Sequence, residues 1–178
     1  MQMYMGTRGY QALDEERVHS LALHIASGLQ YLHGKNIVHR DIKPENILMS
    51  DMSDESIPII GDFGYAKRLV SGQTCSRLCG TKGFMAPELL NQKEYSFPAD
   101  VWSFGVVLYA LVSSKLPYPV PACKLTKGNM SVFARLVNES RLKFESKPWL
   151  LISDELKDLL TRMLEKDPAK RITIDDVL

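Results

Sequence analysis

The stretch His39-Arg40-Asp41-Ile42-Lys43-Pro44-Glu45-Asn46 decides how this chain is interpreted. It sets an acid, a cation and an amide within one short loop, and the apolar runs on either side of it predict small strands. Two further signatures follow, Asp62-Phe63-Gly64 and Ala86-Pro87-Glu88. Each triplet alone is a weak signal, but three in this order and at this spacing are very specific. The loop 39–46 and the two signatures that follow it therefore contain the candidate functional residues of the chain.

Helical periodicity predicts the two main helices. Residues 14–33 carry apolar side chains at helical spacing, with acids at the start and Gly34 as a stop. Residues 101–112 are apolar on nearly every side, which predicts a buried central helix with Ser96 as N-cap and Pro98 in its first turn. That run is too short to cross a bilayer, which needs about 20 residues.

Shorter signals account for the rest of the chain. Helices are predicted at 130–137 and 154–164, the second with Ser153 as N-cap, and 173–176 has the composition of a helix start. Small strands are predicted at three short apolar runs, namely 37–38, 47–49 and 57–60. Irregular segments are expected where polar, charged or proline residues interrupt these patterns, namely 50–56, 67–83 and 117–121. The predicted fold class is mainly α with small β hairpins.

Composition narrows the function classes. At 178 residues the chain is one domain, and its net charge of +1 gives no electrostatic case for a nucleic-acid or membrane partner. Cys75, Cys79 and Cys123 form an odd set without a Cys-x-x-Cys pair, and no signal peptide is visible. An intracellular, cytoplasmic location is therefore expected. The histidines of the first helix are expected to be solvent-facing or partly buried rather than metal ligands.

The three signatures resemble the catalytic loop, the metal-binding Asp-Phe-Gly and the Ala-Pro-Glu of the protein kinase superfamily. The resemblance implies that Asp41 orients a hydroxyl nucleophile and accepts its proton, and that Lys43 steadies the γ-phosphate. In an extended loop Lys43 lies on the same side as Asp41. The resemblance also implies that Asn46 and Asp62 supply oxygen ligands to Mg²⁺. The lysine followed by Pro-Glu-Asn is the pattern of serine/threonine-specific members, so ATP, Mg²⁺ and protein Ser/Thr acceptors are expected.

Further residues match functional or structural positions of that family. Nucleotide contacts are implied for five residues: Lys43, Glu45, Asn46, Leu48 and Asp62. Glu45 is interpreted equally well as a contact for a basic substrate residue or as a surface glutamate. Structural roles are implied for a second set: His39 stacked with Phe63 before Gly64, Asp100 holding the loop backbone, Thr81 near Asp41 and Lys43, and Glu88 paired with Arg171. The sequences at 62–67 and 79–81 lean weakly towards the calcium/calmodulin-dependent kinase-like group.

Two departures from the family pattern stand out. Only 38 residues precede His39, and none form a Gly-rich loop or a strand carrying a paired lysine. Residues 1–178 are therefore interpreted as the large C-terminal lobe of a kinase domain without its small lobe. Second, Arg77 stands where many relatives carry a phosphorylatable Thr, and its charge is expected to repel Arg40. Thr74 and Ser76 are the nearby hydroxyls, with Ser76 the alternative phosphosite.

The sequence is compatible with three functions. The first is a serine/threonine protein kinase represented by an incomplete chain, which alone is expected to be a poor enzyme. The second is a catalytically inactive binding or scaffold module, which has no chemical need for intact Asp41, Asn46 and Asp62. The third, a small-molecule phosphotransferase of related fold, is disfavoured by the peptide-docking signatures around Thr81. An uncovered cleft should also expose Leu48 and Phe63, so self-association or a regulatory partner is expected.

Overall fold

The computed structural model describes residues 5–6, 9–10, 12–51, 53, 56–120 and 127–178. Part of the predicted acidic turn, at 52, 54 and 55, lies outside the described residues, as do Pro121 and Cys123. The helices are α1 Glu15–Gly34, α2 Pro87–Leu90, α3 Pro98–Ser113, α4 Lys127–Glu139 and α5 Asp154–Met163. Short 3₁₀ turns lie at Pro44–Asn46, Phe63–Tyr65 and Lys147–Leu151.

The strands form three small antiparallel pairs. They are β1 Met5–Gly6 with β2 Gly9–Tyr10, β3 Ile37–Val38 with β6 Lys67–Arg68, and β4 Ile47–Met49 with β5 Pro58–Ile60. The mainly helical class with small β pieces is thereby confirmed, and β1–β2 and β6 are additions that the sequence patterns did not indicate. No helix among the described residues is long and apolar enough to cross a membrane.

Helix α3 forms the centre of the core. Every residue from 99 to 113 is buried, as its all-round apolar pattern predicts, and α1 and α5 pack against it. The predicted N-cap at Ser96 is wrong. The helix begins at Pro98, preceded by Phe97, and no side chain caps it. The proline explains this start because a residue without an N–H needs no capping acceptor in the first turn.

Helix α5 begins at the predicted cap Ser153, whereas α1 begins one residue after the predicted start, with Asp14 as its N-cap. The Asp14 carboxylate accepts from the Arg17 amide at 2.8 Å, and the Ser153 hydroxyl accepts from the Leu156 amide at 3.2 Å. The Ser153 amide also donates to Glu15 Oε2 at 2.7 Å, which joins the starts of the two helices. The predicted helix start at 173–176 forms only a turn.

The small strands position the functional loops. Strand β3 leads out of α1 into the loop 39–46, and its partner β6 follows the segment 61–66. Strands β4 and β5 place the end of that loop beside residue 61, because Ile47 pairs with Ile60 and Gly61 N donates to Asn46 O at 2.8 Å. The two polar signatures therefore meet at one end of this hairpin.

Candidate active site

Asp100 anchors the loop 39–46 to helix α3. It lies in the first turn of α3, is 1% exposed, and accepts from the amides of His39 and Arg40, each at 2.8 Å. A helix N-terminus favours a carboxylate, and two backbone donors compensate its burial. These are the backbone contacts predicted for Asp100. The loop is thus attached directly to the most buried helix of the core.

Three side chains of the predicted set converge on Asp41. The Asp41 carboxylate accepts from Thr81 Oγ1 at 2.8 Å and from Asn46 Nδ2 at 3.0 Å, and Lys43 Nζ lies 2.9 Å from it. Lys43 also donates to Thr81 Oγ1 at 2.8 Å, which closes the network. Asp41 is only 4% exposed, so these charge-assisted contacts hold an ionised acid in one orientation.

Two residues of the site adopt left-handed backbone conformations. Arg40 has φ 71° and Asp62 has φ 53°, conformations that cost free energy in residues with a side chain. The Asp100 carboxylate holds the first through the Arg40 amide, and a hydrogen bond from Gly64 N to Asp62 Oδ1 at 3.1 Å holds the second. Surrounding contacts therefore fix both turns that carry the acids.

Asn46 and Asp62 fit the oxygen-ligand set that Mg²⁺ prefers. The Asn46 amide nitrogen donates to the Asp41 backbone carbonyl at 2.8 Å and to the Asp41 carboxylate at 3.0 Å, so its amide oxygen lies on the opposite side. Asp62 is exposed and uses Oδ1 for Gly64, which leaves its second oxygen for a cation. No cluster of three or more His, Cys, Asp or Glu is found among the described residues. Two protein ligands suit Mg²⁺, which usually completes its shell with waters and phosphates.

Phe63, Leu48 and Glu45 lie at the solvent-exposed side of the site, which we call the open edge. Phe63 packs edge-on against His39 with ring centroids 5.2 Å apart, which is the predicted stack. His39 is fully buried and its Nε2 lies 2.9 Å from Gly61 O, whereas Phe63 is half exposed. Leu48 is 58% exposed, and Glu45 is also exposed. The apolar exposure expected of Leu48 and Phe63 is therefore present.

The segment 67–83 is attached through Tyr95. The Cys75 amide donates to the Tyr95 carbonyl at 2.8 Å and the Tyr95 amide donates to the Cys75 carbonyl at 2.9 Å. The Tyr95 hydroxyl donates to the Arg77 carbonyl at 2.6 Å. The same hydroxyl lies 3.4 Å from the Cys79 sulfur, and burial raises the pKa of the Tyr95 phenol, which keeps its proton. Arg40 Nε donates to the Tyr65 carbonyl at 2.5 Å. The backbone and the hydroxyl of Tyr95 thus hold the segment 67–83 at Cys75 and Arg77.

Glu88 and Arg171 form the predicted buried pair. The two guanidinium nitrogens donate to the two carboxylate oxygens at 2.8 and 3.0 Å, and both side chains are almost fully buried. The pair joins α2, directly after the segment 67–83, to the chain beyond α5. The pair thereby fixes helix α2 to the core.

Two contributors were missed by sequence reasoning. His33 is partly buried, as one of the two expectations had it, but its role was missed: its side chain is 9% exposed and its Nε2 lies 3.0 Å from Asp100 Oδ2. Its position four residues after Leu29, on the buried face of α1, was the available signal. Tyr95 was missed because it is an isolated aromatic residue in a polar stretch, where no local pattern indicates a partner.

Together, a buried acid fixed by lysine, threonine and asparagine, an exposed acid beside it and a buried ion pair on α2 form the arrangement that the resemblance to protein kinases implies. The comparisons agree. The protein kinase domain family model matches residues 3–178. The chain belongs to the protein kinase domain family.

Three relatives of the chain are named as kinases or as a kinase catalytic chain. The chain is 34% identical over 174 residues to the phosphorylase b kinase gamma catalytic chain, liver/testis isoform, of Bos taurus, covering 94% of this chain and 40% of the relative. It is 36% identical over 154 residues to calcium/calmodulin-dependent protein kinase type 1B of Homo sapiens, covering 86% and 43%. It is 38% identical over 155 residues to serine/threonine-protein kinase DCLK3 of Mus musculus, covering 86% and 19%. The chain therefore spans less than half the length of each.

Proposed function

We propose that this chain is the catalytic lobe of a serine/threonine protein kinase that transfers the γ-phosphate of ATP to protein Ser or Thr hydroxyls. The observation that carries the proposal is the closed network of Asp41, Lys43, Thr81 and Asn46. A merely structural loop has no need for an ionised acid that is 4% exposed and held by three donors.

Each residue of the network has a distinct task in this proposal. Asp41 orients the acceptor hydroxyl and takes its proton as the oxygen attacks phosphorus. Lys43 places its positive charge where negative charge develops on the transferred group. Thr81 and Asn46 fix the plane of the Asp41 carboxylate from its two oxygens. Mg²⁺, when bound by Asn46 and Asp62, neutralises phosphate charge.

Turnover in this proposal requires a second body that covers the open edge. Leu48 and Ile59 face each other across β4 and β5 and are 58% and 53% exposed, and Phe63 adds to the same side of the site. The 178 residues contain no Gly-rich loop and no Val-Ala-x-Lys strand to grip the nucleotide. A small lobe of the kinase type supplies both missing functions, and the chain alone is a poor enzyme.

The proposal extends to partners and location. Protein substrates approach along the segment 67–83 and Thr81, and the exposed Glu45 is available to a basic substrate residue. A regulatory partner acts at the open edge or on the segment 67–83. An intracellular, cytoplasmic location is part of the proposal, because the reaction needs ATP; Cys75 and Cys79 are free and buried.

A second function has one observation in its favour. The exposed apolar side chains on β4, β5 and Phe63 form a surface that a binding module would use directly, without turnover. In that case the network around Asp41 would serve only to hold the loop. Activity of a completed kinase distinguishes the two functions.

The test uses the chain alone and the chain joined to the small lobe of calcium/calmodulin-dependent kinase type 1B. The chain alone should transfer negligible phosphate, and the joined form should transfer it to Ser/Thr peptides. In the joined form, Asp41→Asn should lower transfer by about 10²–10⁴-fold and spare nucleotide binding. Asp62→Asn should instead weaken binding of the Mg²⁺ nucleotide, because it removes charge from the metal site.

Asp51→Asn is the matched control, since that acid is exposed and its hydrogen bonds are made only within the acidic turn. It should change neither quantity. A joined form with robust binding of ATP but no transfer would favour the binding-module function. Near-normal transfer by Asp41→Asn would show that the base is assigned to the wrong residue.

A further inference from the structure

Tyr95 holds the stretch 75–79 through both its backbone and its side chain. Its backbone is paired with Cys75 by two hydrogen bonds of 2.8 and 2.9 Å. Its hydroxyl donates to the Arg77 carbonyl at 2.6 Å and lies 3.4 Å from the Cys79 sulfur. Tyr95 is 4% exposed, so these contacts are shielded from water, which strengthens them.

The stretch 75–79 leads directly to the catalytic network. Only Gly80 separates it from Thr81, whose hydroxyl donates to Asp41 Oδ1 at 2.8 Å. A Cβ added to Gly80 would lie 2.6 Å from the Arg40 carbonyl oxygen, so the backbone passes very close to the catalytic loop there. A displacement of the stretch 75–79 is therefore transmitted to Thr81.

The contact at position 77 does not use charge. Arg77 offers Tyr95 its backbone carbonyl, and its own side chain is exposed. Burial raises the pKa of Tyr95, and Arg40 beside it opposes that rise without reversing it, so the hydroxyl keeps the proton that it donates. The contact therefore needs neither a phosphate nor a particular side chain at position 77.

We propose that Tyr95 is a positioning residue for phosphate transfer, an inference that rests on the kinase function proposed above. Its hydroxyl holds the stretch 75–79 so that Thr81 stays in place. Thr81 in turn fixes the Asp41 carboxylate in the orientation that the acceptor hydroxyl needs. The segment 67–83 is then ordered without a phosphate group of its own, so the kinase does not require phosphorylation of this segment.

Tyr95→Phe isolates the hydroxyl. The ring and the backbone pairing with Cys75 remain, and the donor to the Arg77 carbonyl is removed. Tyr109→Phe is the matched control, because Tyr109 is also a buried tyrosine whose hydroxyl donates to a backbone carbonyl, that of Lys143 at 2.7 Å. Each variant loses one hydrogen bond to a carbonyl, so the two should lose similar stability in urea unfolding.

The kinetic test uses the chain joined to the small lobe of calcium/calmodulin-dependent kinase type 1B. Tyr95→Phe should lower kcat/KM for a Ser/Thr peptide about tenfold, or about 1.4 kcal/mol of barrier. The KM for ATP should not change, because the proposed Mg²⁺ ligands Asn46 and Asp62 are untouched. Tyr109→Phe should keep both values of the parent, and phosphatase treatment of the parent should change neither.

A measurement on the chain alone does not depend on phosphate transfer. The γ-methyl signal of Thr81, followed by ¹³C NMR, should shift in Tyr95→Phe, because the stretch that leads to it is no longer held at position 77. The same signal should keep its position in Tyr109→Phe.

Equal kcat/KM of folded Tyr95→Phe and the parent would overturn the positioning role, and so would an unmoved Thr81 methyl signal. An equal loss in Tyr109→Phe would also overturn it, because the loss would then reflect general destabilisation. A parent that loses its activity on phosphatase treatment would overturn the independence from phosphate. A joined parent without any transfer would instead refute the kinase function, and the Thr81 methyl signal would still decide whether Tyr95 positions that residue.

Discussion

Replacing Arg171 by alanine should be among the most damaging single changes in the chain. Its guanidinium donates to both Glu88 oxygens at 2.8 and 3.0 Å, to Pro98 O at 2.8 Å and to Glu165 O at 2.8 Å. It also lies over the Trp102 ring at 5.1 Å. Glu88 is 4% exposed, so the substitution leaves a buried carboxylate without its countercharge.

The magnitude follows from that uncompensated charge. Removing one partner of a buried ion pair costs about 3–5 kcal/mol, because desolvation of the other partner is no longer offset. Domains of this size have a total stability of about 5–15 kcal/mol, so roughly a fifth or more of it should be lost. With a urea slope of about 1–3 kcal/mol per molar, the unfolding midpoint should fall by at least about 1 M.

Urea unfolding followed by tryptophan fluorescence and circular dichroism is the assay. Arg135→Ala is the control, because its pair with Glu139 is exposed and is worth at most about 0.5 kcal/mol. The double variant Glu88→Gln with Arg171→Met should be more stable than Arg171→Ala, since no buried charge is left unpaired. If Arg171→Ala and Arg135→Ala had the same midpoint, the buried pair would not stabilise the fold and the reasoning would be refuted.

Three further results are expected. Burial raises the pKa of Tyr118 to about 12, so the folded state is stabilised below pH 10 and loses that stability as the pH rises towards 12, by up to about 1.4 kcal/mol per pH unit. Tyr118→Phe should flatten this pH dependence when unfolding is measured between about pH 9 and about pH 12. Gly80→Ala should cost more stability than Gly72→Ala, although both glycines have positive φ. At Gly80 the added Cβ would lie 2.6 Å from the Arg40 carbonyl oxygen, whereas at Gly72 it meets no atom within 4 Å. Unfolding free energies from urea titrations that differ by less than about 1 kcal/mol would contradict this. In the joined kinase, Thr74→Ala with Ser76→Ala should keep the activity of the parent after phosphatase treatment; a hundredfold loss, about 2.7 kcal/mol of barrier, would identify a loop hydroxyl as the switch.

Sequence patterns predicted the elements whose signals are local. The apolar spacing of α1, the all-round apolar run of α3 and the Ser153 cap of α5 each lie within a few turns of chain. Ser96 misled because capping composition and a first-turn proline compete as start signals, and the proline at Pro98 determined the boundary. Boundaries chosen between two local signals depend on packing that the sequence pattern does not contain.

The site was predictable where motifs specify it and not where tertiary contacts complete it. The contacts of Asp41 with Lys43 and Asn46 lie within one loop and follow from the signature itself. His33 reaches Asp100 across 67 positions, and Tyr95 reaches Arg77 across 18. Neither pair has a shared periodicity or a sequence spacing that would indicate it, so only the folded arrangement brings these groups together.

Asp100 explains why the fold and the site depend on each other. Its carboxylate stands at the start of the most buried helix, where the helix dipole favours a negative charge, and three donors satisfy it. Two of those donors are the amides that hold His39 and the left-handed Arg40, which immediately precede Asp41. The backbone conformation that positions Asp41 is therefore stabilised by the packing of α3. Any change that shifts the start of α3 should move Asp41 even though it touches none of its side-chain partners.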